Sequence, residues 1–338
     1  MTNTYKSAGV DIHQITKSHM KIGEIITSTH NVQKSSKVLH GFGHYAGIVK
    51  AGGQRIATHT DGVGTKVLIA NLLKKYDTIG IDCVAMNVND IICIGATPIS
   101  FVDYVAINQN NRQKLAKIMQ GLVVGAKKGM VPIIGGETAV MPNLISGKGF
   151  SFDLAGTVVG ILGKDVILGN SIKRNDIIIG AASSGLHSNG FSLARKVLFP
   201  KFKIHDKVNR IGGIGKALLT PTEIYVKPVL EIIKKSRVHG LAHITGGAFT
   251  KLLRLKQIGY QLDDIPKASA LFGLIEEQGV SNMNMYKTFN MGIGFCVISP
   301  QGEEQEIIKT FKKHKIKSSV IGRIVQKRGV FINSKRIA

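Results

Sequence analysis

The octet His59–Lys66, HTDGVGTK, places one carboxylate in a glycine-rich turn, with a threonine and a lysine close behind it. Glycines let backbone N–H groups approach a polyphosphate. The carboxylate offers oxygen to a hard cation such as Mg²⁺. A simple β-turn with Asp and Gly would also fit this order of residues. The octet therefore predicts a nucleotide and metal site, with candidate ligands Thr60, Asp61, Gly62, Gly64, Thr65 and Lys66.

The octet belongs to neither of the common nucleotide fingerprints. The chain contains no GxxxxGK[ST], which excludes a P-loop. The upstream GFGHYAG at 41–47 matches GxGxxA only loosely, and the IVKAGG that follows is not helical, so a Rossmann site is disfavoured. Gly41 and Gly43 remain candidates for a glycine-rich loop beside phosphates.

Further acidic residues follow at the ends of successive predicted elements. Asp90, three residues after Asn87, closes a helix, where the helix dipole disfavours a carboxylate unless a cation or donor compensates it. Asp103 lies inside the apolar strand SFVDYVA and needs a basic partner or a metal. Glu137 follows the short strand VPII, at a junction with the turn GGETA. Together they predict a Mg²⁺-triphosphate cluster, although Asp103 and Glu137 could equally be structural.

The second half of the chain offers two candidate cradles for phosphate. The loop SSGLHSNG at 183–190 precedes a predicted helix, whose backbone N–H groups suit an anion such as a sugar phosphate. Its His187 could be a general acid or base, or a hydrogen-bonding loop residue. The turn HITGG at 243–247 joins a strand to a helix, and His243 itself is interpreted as a core-edge histidine. The candidate substrate ligands are His187, Ser188, Asn189, Thr245, Gly246 and Gly247.

Strands and helices alternate along the whole chain, which predicts mixed α and β layers. A polar, charged segment at 162–176 interrupts the pattern, and the boundary is predicted near Lys164. The predicted fold class is α/β, of the α+β type, with two domains at 1–164 and 165–338. The elements around the octet and the acidic residues are predicted as strands at 54–60, 98–107, 131–134 and 153–162 and helices at 77–94 and 111–128.

The net charge of +24 invites a nucleic-acid interpretation, but its distribution does not support one. Lysines are spread along the whole chain, and aromatic residues make up only 6%, with no tryptophan for base stacking. We therefore expect a solvated basic surface or attraction of small anionic substrates, with no specific nucleic acid as partner.

The remaining composition points to a protein of the cytoplasm. No apolar run reaches the roughly 18–20 residues of a membrane span, so no membrane partner is expected. The N-terminus lacks the basic start and apolar core of a signal peptide. The three cysteines form no CxxC pair, which favours free thiols in a reducing compartment and disfavours zinc.

Ten blocks, in order, resemble those of the phosphoribosylformylglycinamidine cyclo-ligase (aminoimidazole ribonucleotide synthetase) family of purine biosynthesis. The resemblance runs from about Tyr5 to Val325. The blocks are YKSAGVDI, GFGHYAG, HTDGVGTK, DTIGIDCVAMNVNDIICIGATP, GGETAVMP, DLAGTVVG, ASSGLHSNGFSLARK, LLTPTEIYVKPVL, AHITGGAF and MYKTFNMGIGF.

This resemblance implies an N-terminal domain whose strands pair with those of a second copy in a homodimer, and a C-terminal domain packed beside it. It implies ATP and Mg²⁺ held mainly by the first half and formylglycinamidine ribonucleotide between the halves. Asp61 and Asp90 match the metal and nucleotide carboxylates, and Lys66 the phosphate-side turn. His187 would move a proton or orient the amide. The nucleotide ligands so implied are Gly41, Gly43, Thr60, Asp61, Gly62, Gly64, Thr65, Lys66, Asn87, Asp90 and Glu137.

The sequence leaves two alternative functions open. One is another ATP-dependent enzyme of the same superfamily, such as a selenophosphate synthetase or a thiamine-phosphate kinase. No cysteine precedes Cys83, although a selenophosphate synthetase needs a reactive N-terminal cysteine or selenocysteine. The other is a basic, non-catalytic nucleic-acid-binding protein, which predicts oligonucleotide binding that weakens steeply with salt.

Overall fold

Two large β-sheets, one in each half of the chain, organise the residues that this computed structural model describes, 3–147 and 149–338. A two-stranded ribbon, β8 with β9, accompanies the second sheet. The strands are β1 (Ser36–His40), β2 (Gly47–Ala51), β3 (Gln54–Gly62), β4 (Ala96–Ile107), β5 (Ile133–Val140), β6 (Phe152–Leu162), β7 (Ile177–Ala182), β8 (Lys207–Val208), β9 (Gly212–Gly213), β10 (Gly240–His243), β11 (Gly259–Leu262), β12 (Ile293–Ser299), β13 (Ser318–Val325), β14 (Gly329–Ile332) and β15 (Lys335–Arg336).

Helices precede, connect and cover these strands. Short 3₁₀ turns occur at Lys6–Ala8, Gly64–Lys66, Ile92–Ile94 and Ala248–Arg254. The α-helices are α1 (Ile12–Thr27), α2 (Val67–Leu73), α3 (Ile79–Ile91), α4 (Arg112–Gly129), α5 (Phe191–Leu198), α6 (Ile214–Leu218), α7 (Val226–Lys235), α8 (Ala270–Glu277), α9 (Asn282–Thr288) and α10 (Glu304–Lys313).

The first sheet has the strand order β1-β2-β3-β6-β4-β5 and buries one face beneath α3 and α4. Its pairs are antiparallel except β4 with β5. Along β4, Phe101 and Val105 are fully buried, whereas Tyr104 between them is exposed. This alternation assigns one face of each strand to the core and the other to the outside.

Helix α3 is buried along its whole length and carries several polar residues of interest. It crosses α4 so closely that a Cβ on Gly80 would lie 2.1 Å from the backbone nitrogen of Leu122. A Cβ on Gly121 would likewise lie 2.6 Å from the carbonyl oxygen of Asp77. Only glycine permits this approach, and the contact fixes α3 against β3 and β6.

The second sheet has the strand order β10-β12-β7-β13-β11-β14-β15, and its only parallel pair among the described residues is β11 with β14. Strand β12, IGFCVIS, is buried at every residue. Helix α10 packs on β7 and β13 beside α7. The loop after β7 and the turn after β10 both face the first half of the chain, which places them against the octet.

The prediction of two mixed domains is confirmed, and several element boundaries need correction. The first sheet ends at Leu162 and the second begins at Ile177, so Lys164 falls in the connection. Helix α3 spans Ile79–Ile91, within the predicted 77–94, and β5 continues through GGETAV instead of ending before it. Among the described residues, no helix is both long and apolar enough to cross a membrane.

Candidate active site

Strand β3 and helix α3 bring three potential metal ligands together. His59 and Asp61 are two residues apart on β3, so both face the side covered by α3. Asp90 lies in the last turn of α3. One ligand atom from each of the three residues lies within 4.8 Å of the other two. We call this group the His59–Asp61–Asp90 cluster; sequence reasoning named both aspartates and missed His59, although its i, i+2 spacing from Asp61 was a usable signal.

Asn87 holds Asp61 in place through the backbone. Its Oδ1 accepts the N–H of Asp61 at 3.0 Å, and its Nδ2 donates to the carbonyls of Asp61 at 3.1 Å and Cys83 at 2.9 Å. The Asp61 carboxylate also accepts the N–H of Gly62 at 2.8 Å. The Asn87 amide is buried and fully used, so the structure corrects its predicted role from nucleotide contact to orientation of Asp61.

The cluster has the electrostatics of a cation site. Burial raises the pKa of Asp61, and the neighbouring charge of Asp90 raises it further. Burial also opposes ionisation of Asp90. The hydrogen bond with His243, whose Nδ1 lies 2.6 Å from Asp90 Oδ1, and the charges of Lys251 and His59 outweigh this and lower the pKa of Asp90 to about 2. Two carboxylates this close and this buried favour a bound cation.

The HITGG turn approaches the cluster from the second sheet, and the 3₁₀ turn after it supplies a lysine, Lys251, that sequence reasoning missed. Lys251 Nζ donates to Thr245 Oγ1, and its charge acts on both aspartates of the cluster. A Cβ on Gly246 would lie 2.9 Å from Asn189 Oδ1, and Gly247 turns the chain at φ +83°. The turn therefore needs its glycines, and it brings Lys251 to a site 190 residues away in sequence.

The glycine-rich loop between β1 and β2 lies on the same side. Tyr45 is buried, and its ring centroid lies 5.8 Å from Lys251 Nζ. Burial and the charge of a neighbouring histidine lower the pKa of His44 to about 4. Gly43 has φ +116° with open space at its Cβ position, whereas Gly41 packs against a histidine ring. The loop thus borders the cluster, and its predicted role beside a phosphate stays a prediction.

The rest of the octet contributes a turn and little direct contact with the cluster. Thr60 points to the opposite face of β3, where its Oγ1 donates to the carbonyl of Gly156 at 2.9 Å. Gly64 is exposed, with φ +70° and no atom near its Cβ position. Thr65 is exposed, and its Oγ1 lies 3.3 Å from Ser192 Oγ. The open backbone at Gly64 keeps this turn accessible to a phosphate.

Lys66 needs a correction, because it is fully buried instead of facing a phosphate. Its Nζ donates to Asp82 Oδ1 at 2.8 Å and to the carbonyls of His187 at 2.9 Å and Thr220 at 2.6 Å. Asp82 Oδ1 also accepts the N–H and Oγ1 of Thr222 at 2.8 and 2.6 Å. All three N–H donors of Lys66 are occupied, so it joins the two halves of the chain.

His187 is also buried, and its predicted role in proton transfer stays a prediction. Its Nε2 accepts the N–H of Ser184 at 3.2 Å, and burial lowers its pKa well below the usual range. Ser188 Oγ donates to the carbonyl of Val63 at 2.8 Å. The Ser188 side chain and the His187 carbonyl hold the loop against the octet, and the His187 ring bonds within the loop. Asn189 is the half-buried member left beside the HITGG turn.

Glu137 lies apart from the cluster. It occupies the middle of β5, in register with Tyr104, and therefore shares the outward face of the sheet. The glycines before it were interpreted as a turn. Gly136 instead makes room for the Asp103 carboxylate, because a Cβ there would lie 2.5 Å from Asp103 Oδ1. Burial raises the pKa of Asp103, which faces the inner side of the sheet.

A separate cavity of about 580 Å³ opens beside the loop that follows β7. None of the residues of the His59–Asp61–Asp90 cluster lines it. Its polar lining contains hydroxyl groups and lysines, a combination that suits an anionic ligand. These residues are Ser183, Ser184, Lys267, Ser269, Lys317, Ser318 and Ser319.

Comparison with known protein families shows which family the chain belongs to. The AIR synthase related protein N-terminal domain matches residues 43–162, and the corresponding C-terminal domain matches residues 173–335. The chain belongs to the AIR synthase related protein family. Every residue of the cluster lies within the matched residues, as do all strands of the first sheet except β1.

Curated members of the family resemble the chain over nearly its whole length. A phosphoribosylformylglycinamidine cyclo-ligase from Methanobrevibacter smithii is 46% identical, covering 95% of this chain and 94% of that protein. One from Pyrococcus furiosus is 44% identical over 98% of each. Among solved structures, thiamine monophosphate kinase from Aquifex aeolicus matches with a TM-score of 0.63 and 16% identity over 95% of this chain and 98% of that one, a likeness of fold alone.

Proposed function

We propose that this protein catalyses the ATP-dependent closure of formylglycinamidine ribonucleotide to aminoimidazole ribonucleotide, a step of purine biosynthesis. The observation that carries the proposal is the His59–Asp61–Asp90 cluster, with Asp90 buried and the other two residues half-buried, bordered by two glycine-rich segments and Lys251. The 44–46% identity to cyclo-ligases over nearly the whole chain supports this reaction over others that use the same fold.

The reaction needs ATP because the formyl amide oxygen is a poor leaving group. That oxygen attacks the γ-phosphorus of ATP, and ADP leaves. The amidine nitrogen that bears the ribose then attacks the formyl carbon, the C–O bond to the phosphoryl oxygen breaks, and phosphate departs. The attacking nitrogen loses its proton, and one proton then moves from the ring CH₂ to the exocyclic imine nitrogen, which gives the aromatic aminoimidazole. The work of the protein is positioning the reactants and neutralising the charge of the transferred group.

The donor set of the cluster fits a divalent cation such as Mg²⁺. Asp61 and Asp90 would hold it through carboxylate oxygens, and Asn87 fixes the backbone of Asp61 beneath it. When bound, the ion would supply positive charge to the phosphate oxygens of ATP. The raised pKa of Asp61 supports this role, because burial beside a second carboxylate is relieved by a cation.

Lys251 is our candidate for the lysine that neutralises phosphate charge. Lys66 has no free donor, whereas the Lys251 side chain donates to Thr245, and its charge reaches both aspartates. It lies in the 3₁₀ turn directly after HITGG, whose glycines leave backbone N–H groups open to a phosphate. On the substrate side, Asn189 and Gly246 lie in contact at the junction of the two halves.

We also propose that the protein works as a homodimer in the cytoplasm. The outward face and edge of the first sheet expose large apolar side chains, including Ile134 at 68%, Leu144 at 74% and Tyr104 at 41%. A second copy would cover such a surface. The three cysteines are all buried and free, which supports a reducing compartment.

The test is an assay of ADP release with and without formylglycinamidine ribonucleotide, coupled to detection of the aminoimidazole product. We expect ADP release and product formation both to depend on formylglycinamidine ribonucleotide. Thiamine monophosphate serves as the control substrate, because a kinase of the same fold would release ADP with it. ADP release that ignores the formylglycinamidine ribonucleotide, or that follows thiamine monophosphate, would refute the proposal.

A further inference from the structure

His59 carries a ring nitrogen that nothing in the described part of the chain uses. Its Nε2 is buried and has no hydrogen-bond partner there, although the side chain as a whole is 17% exposed. A buried polar atom without a partner is destabilising, so such an atom at a candidate site indicates a missing ligand.

Asp90 does not satisfy this nitrogen. The distance from His59 Nε2 to Asp90 Oδ2 is 3.6 Å, too long for a hydrogen bond. Asp90 is already engaged through its other oxygen, which lies 2.6 Å from His243 Nδ1. The facing nitrogen and oxygen are therefore spaced as two ligands of one ion, which lie roughly 3 to 4.2 Å apart around an octahedral metal with bonds of about 2.1 Å.

The position of His59 is fixed by the sheet and not by a flexible loop. Its strand β3 is an interior strand, paired with β2 on one side and β6 on the other, and His59 lies opposite Val158. Asp61 lies opposite Gly156 in the same ladder. Two ligands on one rigid strand and a third on the tightly packed α3 make a preorganised site.

We propose that His59 is a third protein ligand of the cation held by Asp61 and Asp90, and that the mixed nitrogen and oxygen site prefers a first-row transition ion such as Mn²⁺ to Mg²⁺. Imidazole suits transition ions, whereas Mg²⁺ takes oxygen ligands almost exclusively. This inference rests on the proposed metal-binding role of Asp61 and Asp90, and it adds a residue and a metal preference to it.

The experiment is Mn²⁺ binding to the nucleotide-free, full-length protein, followed by electron paramagnetic resonance. In the wild type we expect one bound Mn²⁺ whose pulsed spectrum shows ¹⁴N coupling from a coordinated imidazole. Labelling the histidines with ¹⁵N should replace that ¹⁴N coupling with ¹⁵N coupling. Mg²⁺ should displace Mn²⁺ only at about tenfold or higher concentration.

The variant His59→Gln should lose the nitrogen coupling and bind Mn²⁺ about 10–100-fold more weakly, while its affinity for Mg²⁺ changes by less than about threefold. The matched control His205→Gln removes an exposed histidine and should leave the nitrogen coupling and both metal affinities unchanged. His243→Gln should keep the coupling, because we assign the nitrogen to His59. Circular dichroism confirms that each variant is folded.

Three results would overturn the inference: bound Mn²⁺ without nitrogen coupling in the wild type, coupling that persists in folded His59→Gln, or equal affinity for the two ions. The wild-type measurements need no variant, so a misfolded His59→Gln does not block the test. A protein that shows the coupling but forms no aminoimidazole product would refute the proposed function and keep this inference. Product formation without the coupling would refute this inference and keep the proposed function.

Discussion

The change Lys66→Met distinguishes two roles of the octet lysine, phosphate binding and a buried structural ion pair. Methionine nearly matches the length of the lysine stem but removes the charge and all three donors. In the structure this leaves Asp82 buried with only its hydrogen bonds from Thr222, and leaves the carbonyls of His187 and Thr220 without their donor. We therefore expect a large loss of stability, with any loss of activity following from it.

The magnitude follows from the burial of the pair. Lys66 and Asp82 side chains are both 0% exposed, and removing one partner of such a pair typically costs about 3–5 kcal/mol. With roughly 2–4 °C per kcal/mol for a domain of this size, Tm should fall by about 6–20 °C. The double variant Lys66→Met with Asp82→Asn should lose less than the sum of the single changes by about 1–3 kcal/mol.

Differential scanning calorimetry and urea titration of the full chain measure these losses. Lys75→Met is the control, because its ion pair with Asp77 is exposed and should be worth less than about 1 kcal/mol. A Lys66→Met protein with wild-type Tm and a more than thousandfold loss of turnover would refute the reasoning. That result would restore Lys66 as a phosphate-binding residue.

Four further results are expected. Because the pKa of His44 is about 4 in the fold and 6.5 when unfolded, stability should be full above pH 6.5 and fall by at most about 3 kcal/mol towards pH 4; His44→Asn should flatten this urea-unfolding profile. Gly80→Ala should destabilise by about 2 kcal/mol or more, whereas Gly273→Ala, with open space at its Cβ, should stabilise by up to about 1 kcal/mol; equal Tm shifts would contradict the close helix crossing. Lys251→Met should raise the KM for ATP at least tenfold with unchanged Tm. Asp61→Asn should lower turnover more than tenfold, about 1.4 kcal/mol of barrier, and survival within tenfold would exclude it as an essential metal ligand.

Sequence reasoning predicted the acidic core of the site because its information is local. Asp61 sits in a glycine-rich turn at the end of a strand, and Asp90 at the end of a helix, and both features are visible in short windows of sequence. Their convergence required only that α3 pack on β3. Where the signal was local, the predicted carboxylates and their elements lie together in the structure, and their role as metal ligands stays a prediction.

The errors share a cause, which is contact across long sequence distance. The lysine of the octet looks like a free cation, since lysine is almost never fully buried without a partner. Its acceptors at Asp82, His187 and Thr220 lie 16, 121 and 154 residues away. Glu137 was placed at a turn because two glycines precede it, yet the glycine at 136 accommodates a side chain from the adjacent strand.

The buried pair between Lys66 and Asp82 limits how this enzyme can be cut into fragments or recombined into chimaeras. A fragment that stops near the boundary would retain both charges but lose Thr220, Thr222 and the His187 carbonyl that surround them. A chimaera with the second half of a distant relative therefore has to supply the same carbonyl acceptors and the same threonine donors around the pair. The buried pair makes the packing of the first domain depend on the second.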